Sequence, residues 1–184
     1  MSRIHNHKNK FALNDIKSPL LRAKGNLFVT QLSFGEVDDP YSPYLLLDIG
    51  SEMTWVQCEG CDPCFQINGK NFDYKKSSSF KRVSENDELC YPLEFTYEGS
   101  CGLTLDYGII PPFPSVKGLM GRENFYFKNS RTSDREVYQG LVFGCGLVNE
   151  NIHFGVNNGP ENIIAGVYGL NGDPRSLFEE TQFD

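Results

Sequence analysis

From Leu27 onward the chain sets short apolar or alternating runs between polar breaks, first Leu27-Phe28-Val29-Thr30-Gln31-Leu32-Ser33-Phe34 and then Tyr44-Leu45-Leu46-Leu47. Runs of about four to eight residues with this texture are the mark of strands that bury one or both faces. The same reading predicts strands at Met53 to Gln57, Leu93 to Tyr97, Leu103 to Leu105, Asn124 to Phe127, Gly140 to Phe143 and Ile163 to Val167. Eighteen Gly and ten Pro supply the turns between them. Helical periodicity is scarce. The best helix candidate is Pro174 to Glu180, with Asp173 as N-cap and Pro174 at the first helical position. The predicted fold class is therefore all-β, with one or two short helices. Ser77-Ser78-Ser79 and Ile110-Pro111-Pro112-Phe113-Pro114 read as surface loops, and no internal repeat is evident. Residues 1–25 are polar and basic and lack the apolar stretch of a secretory signal, so they are expected to form a poorly ordered leader ahead of a domain at 26–184.

A length of 184 residues fits one domain, and 39% hydrophobic residues can fill its core. The formal charge of -7 repels phosphate backbones, which argues against nucleic acid as a partner. Apolar runs stay only a few residues long, against the roughly 20 needed for a membrane-spanning helix, so no membrane partner is expected.

Cys58, Cys61, Cys64, Cys90, Cys101 and Cys145 form an even set, and the first three lie in Cys58-Glu59-Gly60-Cys61-Asp62-Pro63-Cys64. That spacing could open an iron–sulfur ligand set, but the next residues, Phe65-Gln66-Ile67-Asn68, do not complete it. A zinc site would need a second ligand pair, and His5, His7 and His153 lack the spacing for one. Disulfides are the better reading, with all six cysteines as candidates and the pairing open; no metal or other cofactor is expected. No Asn-x-Ser/Thr sequon adds support for secretion. Cys145 has no basic neighbour in sequence to lower its pKa, which makes it a bridge partner rather than a nucleophile. His153 has no identifiable Ser or Asp partner and reads as a loop residue.

Chemistry is concentrated in Leu45-Leu46-Leu47-Asp48-Ile49-Gly50-Ser51. A carboxylate straight after three leucines loses hydration that partners must replace, which marks a working acid. Gly50 allows close backbone approach beside it, and the Ser51 hydroxyl can donate to one of its oxygens. On residues alone, a strand that ends with Asp at an exposed turn remains an alternative.

Further motifs follow in order: Trp55-Val56-Gln57-Cys58, Cys64-Phe65, Tyr97-Glu98-Gly99-Ser100, Gly118 to Phe125, Phe143-Gly144-Cys145-Gly146, and Ala165 to Leu170 with Pro174 and Ser176-Leu177 behind. Together they resemble the N-terminal lobe of the plant nepenthesin-type branch of the pepsin-like aspartic proteases, across most of residues 27 to 184. The resemblance implies a β-rich lobe with Asp48 as one catalytic carboxylate and Gly50 and Ser51 supporting its loop. It also implies a flap over the substrate cleft that carries Tyr97, Gly99 and Ser100, with Trp55 supporting the flap tyrosine. Two such carboxylates share a proton and activate a water against a peptide bond. The implied partners are a peptide or protein substrate and a second lobe, either a missing C-terminal half or a second copy of the chain. The implied location is extracellular or vacuolar.

The sequence departs from that pattern in several places. Ile49 stands where the family has Thr or Ser. The other Asp-x-Gly, Asp106-Tyr107-Gly108, reads as a turn, and Leu103 to Lys117 is long and proline-rich. Gly35-Glu36-Val37-Asp38-Asp39-Pro40 forms an acidic loop in place of the usual Gly-Thr-Pro segment. A second Asp-Thr/Ser-Gly is absent, so the chain by itself is expected to be inactive. The alternative function is an inactive protease-fold binding module that resembles plant xylanase-inhibitor proteins.

Overall fold

The alternating run after Leu27 folds as two short strands, and the leucine triplet after it forms a third that ends on Asp48. The structure is a computed structural model that describes residues 3–5, 16–90 and 96–177. Among these, thirteen strands occur: β1 (Arg3–His5), β2 (Ile16–Lys17), β3 (Leu20–Arg22), β4 (Phe28–Gln31), β5 (Ser33–Phe34), β6 (Tyr44–Asp48), β7 (Trp55–Gln57), β8 (Lys81–Arg82), β9 (Thr96–Tyr97), β10 (Ser100–Asp106), β11 (Ser115–Asn129), β12 (Arg135–Glu150) and β13 (Ile164–Gly169). The chain is mainly β, as its periodicity predicts. Within the predicted leader, β2 pairs with β11, and β3 pairs with β4 through Leu21↔Val29.

The sheet runs in the order β3-β4-β6-β13-β7-β12-β11-β10-β9. β13 lies parallel to β6 and antiparallel to β7, so it crosses behind the segment that joins them. β11 and β12 pair antiparallel from Ser115↔Glu150 to Lys128↔Arg135 and are far longer than the short runs predicted around 124–127 and 140–143. Glycines conceal their length in the sequence, because they read as turn signals but sit where backbones touch. Gly118 faces Gly146 across the ladder, and a Cβ on it would lie 1.9 Å from the Cys145 carbonyl oxygen.

Two apolar clusters fill the lobe. One gathers Phe34, Phe72, Phe125, Leu141 and Phe143 around the Cys58–Cys145 bridge. The other gathers Val29, Met53, Trp55, Leu103, Leu105 and Val142 around Cys90–Cys101. A third bridge joins Cys61 to Cys64, so all six cysteines are paired. The Ser77 to Ser79 loop is pinned from below: Ser77 Oγ donates to fully buried Glu123 at 2.6 Å, and Ser79 Oγ donates to its other oxygen.

At the C-terminal end Asp173 acts as the expected cap, accepting the Arg175 N–H on its carboxylate at 2.9 Å and the Ser176 N–H on its carbonyl at 2.8 Å. The rest of the predicted helix, from 178 on, lies outside the described residues, as do positions 93–95 of the strand predicted at 93–97. Among the described residues no helix is long and apolar enough to cross a membrane.

Candidate active site

Asp48 closes β6, and its side chain is half-buried at the point where the strand leaves the sheet. The turn that follows holds both carboxylate oxygens. The Gly50 N–H donates to Oδ1 at 2.9 Å, and the Ser51 hydroxyl donates to Oδ2 at 2.5 Å. A Cβ on Gly50 would come within 3.3 Å of Oδ1, so the glycine keeps that approach open. β13 fixes the backbone of the turn: the Leu170 N–H donates to the Asp48 carbonyl at 2.9 Å, and the Asn171 N–H donates to the Ser51 carbonyl at 3.2 Å. Gly169 is opposite Asp48, and a Cβ there would lie 2.6 Å from the Met53 carbonyl oxygen. The carboxylate is therefore oriented by two donors on a loop that is itself clamped.

Trp55 is fully buried and also hydrogen-bonded, so its packing and its polar contact coexist. Its indole N–H donates to the Tyr107 phenolic oxygen at 2.6 Å. The Tyr107 phenol also interacts with the Ser51 hydroxyl. A polar chain thus runs Trp55, Tyr107, Ser51, Asp48, linking the buried indole to the carboxylate. Burial pushes the Tyr107 phenol up to about 12, helped by the Asp48 and Glu52 carboxylates and opposed by its bonds to Ser51 and Trp55. The phenol therefore stays protonated and able to donate across the neutral and acid range.

The structure does not join Trp55 to Tyr97. Thr96–Tyr97 pairs with Ser100 and Cys101 through a tight turn in which Glu98 and Gly99 both have positive φ, at 48° and 76°. That turn is a type I′ hairpin, which explains the Glu-Gly pair. Tyr97 packs against the phenylalanine-rich cluster, whereas Trp55 and Tyr107 belong to the other one. Ser100 is buried in β10, and Gly99 is exposed at the turn. The hairpin that reaches Trp55 is instead β10–β11, closed where the Tyr107 N–H donates to the Pro114 carbonyl at 2.8 Å. The sequence did carry a signal for Tyr107. In a strand every second residue shares a face, so Leu103, Leu105 and Tyr107 line up toward Trp55.

The Ile49 side chain is 83% exposed and meets solvent beside Asp48. Among the described residues, no group of three or more His, Cys, Asp or Glu is placed to hold a metal ion. The site within this chain is one oriented carboxylate, two hydroxyl groups in series and an overhanging hairpin.

Residues 28–183 match the family described as xylanase inhibitor N-terminal. A probable aspartic protease of Arabidopsis thaliana is 29% identical over 98% of this chain and 38% of its own length. The aspartic proteinase nepenthesin-2 of Nepenthes gracilis is 30% identical over 88% of this chain and 33% of its own length. The chain thus spans about a third of the length of these curated relatives. Among solved structures, conglutin gamma, a basic 7S globulin from lupine seeds, has the same fold with a TM-score of 0.64 at 17% identity, covering 89% of this chain and 41% of that one.

Proposed function

The chain belongs to the xylanase inhibitor N-terminal family, the N-terminal lobe of plant pepsin-like aspartic proteases, and from that premise we propose that it supplies half of an aspartic endopeptidase site. The observation that carries the proposal is the Asp48 carboxylate, with one oxygen held by the Gly50 N–H and the other by the Ser51 hydroxyl. A second carboxylate, brought by a second lobe, completes the pair. Two carboxyl groups in contact share one proton. The ionised member takes a proton from a bound water, whose oxygen attacks the scissile carbonyl, while the other member gives its proton to the carbonyl oxygen. Collapse of the tetrahedral species expels the amine with a proton.

In this reading Tyr107, on the β10–β11 hairpin, is the flap tyrosine in place of Tyr97. The polar chain through Ser51 ties the closed position of the hairpin to the orientation of Asp48. Two residues of the sheet and loop, Trp55 and Ser51, position groups and do not touch substrate. The lobe comprises 26–184 together with the β2 and β3 strands that join its sheet, and its partners are a peptide or protein substrate and the second lobe. Three disulfides support an extracellular or vacuolar location.

A second reading, an inactive protease-fold binding module, rests on one observation. The position next to Asp48 that carries a hydroxyl in the proteases is the exposed, apolar Ile49. Cleavage of denatured haemoglobin at acid pH by the two-lobed protein, with and without pepstatin, separates the two. Pepstatin-sensitive cleavage supports the peptidase, and its absence alongside inhibition of a cell-wall glycosidase supports the module.

A further inference from the structure

We propose that the Cys61–Cys64 bridge is a thiol–disulfide exchange site for a dithiol reductant, and that its redox state is read at Trp55 through Phe65. This stands apart from the peptidase reading. The three bridges are not equivalent. Cys58, Cys145, Cys90 and Cys101 are all buried, whereas Cys64 is exposed and Cys61 is half-buried. Only three positions separate Cys61 from Cys64, so this bridge constrains the unfolded chain least.

The surroundings suit exchange in one direction. Cys64 lines an open groove of about 560 Å³ together with Gln57, Glu59, Lys70, Asn71 and Lys76, which gives a dithiol room to approach. On the other sulfur, the Asn71 side-chain amide points an N–H at Cys61 Sγ across 3.7 Å. A thiolate of the reductant attacks Cys64 Sγ. The Cys61–Cys64 bond breaks with its electron pair passing to Cys61 Sγ, where the Asn71 N–H steadies the leaving thiolate before it takes up a proton. The second thiol of the reductant then displaces Cys64 from the mixed disulfide. In all, two electrons and two protons pass to the cysteines, and the reductant becomes a disulfide.

The bridge sits directly against the element that carries Trp55. The loop it closes is held on β12 by Asp62 N–H to the Leu147 carbonyl at 2.8 Å and Asn149 N–H to the Pro63 carbonyl at 3.0 Å. The next residue, Phe65, is clamped by Gln57 through both its N–H and its carbonyl at 2.8 Å. Its ring meets Trp55 edge-on at 6.2 Å. Opening the four-residue ring releases the entry to Phe65, so the edge of the indole loses a fixed neighbour. Trp55 is the one tryptophan of the chain, so the emission reports its surroundings, in which the Phe65 ring is the neighbour next to this bridge.

The test treats the oxidised full chain with dithiothreitol, quenches samples with iodoacetamide, maps the labelled cysteines by mass spectrometry and follows Trp55 emission in parallel. Cys61 and Cys64 are expected to become labelled about tenfold faster than the other four, as accessibility and leaving group govern the rate. The emission change should share their time course. Asn71→Asp keeps the oxygen that accepts from Gln57 and removes the N–H aimed at the sulfur, so it should slow the reduction several-fold. The double variant Cys61→Ser, Cys64→Ser should show the reduced emission without dithiol. Labelling of all six cysteines at one rate, Trp55 emission that ignores the opening of this bridge, or an unchanged rate in Asn71→Asp would each overturn the proposal.

Discussion

The indole N–H of Trp55 donates to the phenolic oxygen of Tyr107 at 2.6 Å, joining residues fifty-two positions apart in sequence and fixing the β10–β11 hairpin over the loop that carries Asp48. Tyr107 continues to Ser51, so the contact connects the core to the carboxylate. In the two-lobed protein Tyr107→Phe is expected to lower kcat/KM at least about tenfold by cutting this chain. Tyr97→Phe, which packs in the other cluster, should stay within about twofold. Steady-state kinetics on a quenched fluorescent peptide compare the two. Equal losses would remove Tyr107 from the role.

Tyr107 also makes an alkaline prediction. Its phenol is raised, mainly by burial, to about 12, against 10 in the unfolded chain. Between these values the unfolded state has released the proton and the folded state retains it, so the stabilising contribution is complete below pH 10 and disappears as pH rises through 12. Tyr168, also raised to about 12 by burial, acts in the same window. Denaturant midpoints should therefore fall between pH 10 and 12, less steeply in Tyr107→Phe. An identical slope in variant and parent would show that the phenol titrates normally.

An acid-side prediction comes from Asp87, whose carboxylate accepts from Arg122 at 2.9 Å. Partial burial works to raise its pKa, but the Arg122 hydrogen bond, the Leu89 N–H and the Arg122 charge outweigh that and hold it below the usual value. The sign is opposite to that of Tyr107: the stabilisation is present above the unfolded carboxylate pKa and lost as pH falls through the depressed one. Asp87→Asn should cost about 1 kcal/mol at neutral pH, in line with a partly exposed pair, and close to nothing at pH 2. Thermal melts at the two pH values measure this.

Gly169→Ala tests the clamp behind Asp48. The added methyl would lie 2.6 Å from the Met53 carbonyl oxygen and 2.7 Å from that of Ser51, both backbone atoms that cannot swing away. A loss of more than about 2 kcal/mol is expected, together with a drop in kcat of the two-lobed protein. Unaltered stability would mean that the loop and β13 are not held together as described.

Ile49→Thr probes the departure beside Asp48. With the side chain 83% exposed, stability of this lobe should change by no more than about 0.5 kcal/mol. Restoring a hydroxyl that can bond the opposing catalytic loop should raise kcat several-fold in the two-lobed protein. If kcat falls instead, the apolar residue is an adaptation to this protein's own partner.

Much of the lobe was legible because burial and alternation coincide. Leu45 to Asp48 reads as a strand that ends in an acid, and Gly50 and Ser51 bond that acid as their chemistry suggests. The short motif at 97–100 misled, since Glu98-Gly99 serves a hairpin turn and not the contact with Trp55. Tyr107 lies in an Asp-Tyr-Gly that also satisfies a turn; alternation puts it on the face of Leu103 and Leu105, but the partner fifty-two residues away that gives it a role is set by the fold. The length of β11 and β12 was hidden for a related reason: glycines at close backbone contacts look the same in sequence as glycines in turns. Disulfide pairing was beyond reach, because parity gives the presence of bridges and only the fold sets which sulfurs meet.

A working carboxylate at Asp48, one of a shared pair, makes turnover of the two-lobed protein on denatured haemoglobin at acid pH depend on that group, which a comparison of the parent with Asp48→Asn measures. The substitution keeps size and an acceptor oxygen for Ser51 but cannot be ionised, so pepstatin-sensitive cleavage in the parent should vanish in the variant while the fold and melting temperature persist. Cleavage that continues undiminished in Asp48→Asn would exclude Asp48 as a catalytic carboxylate.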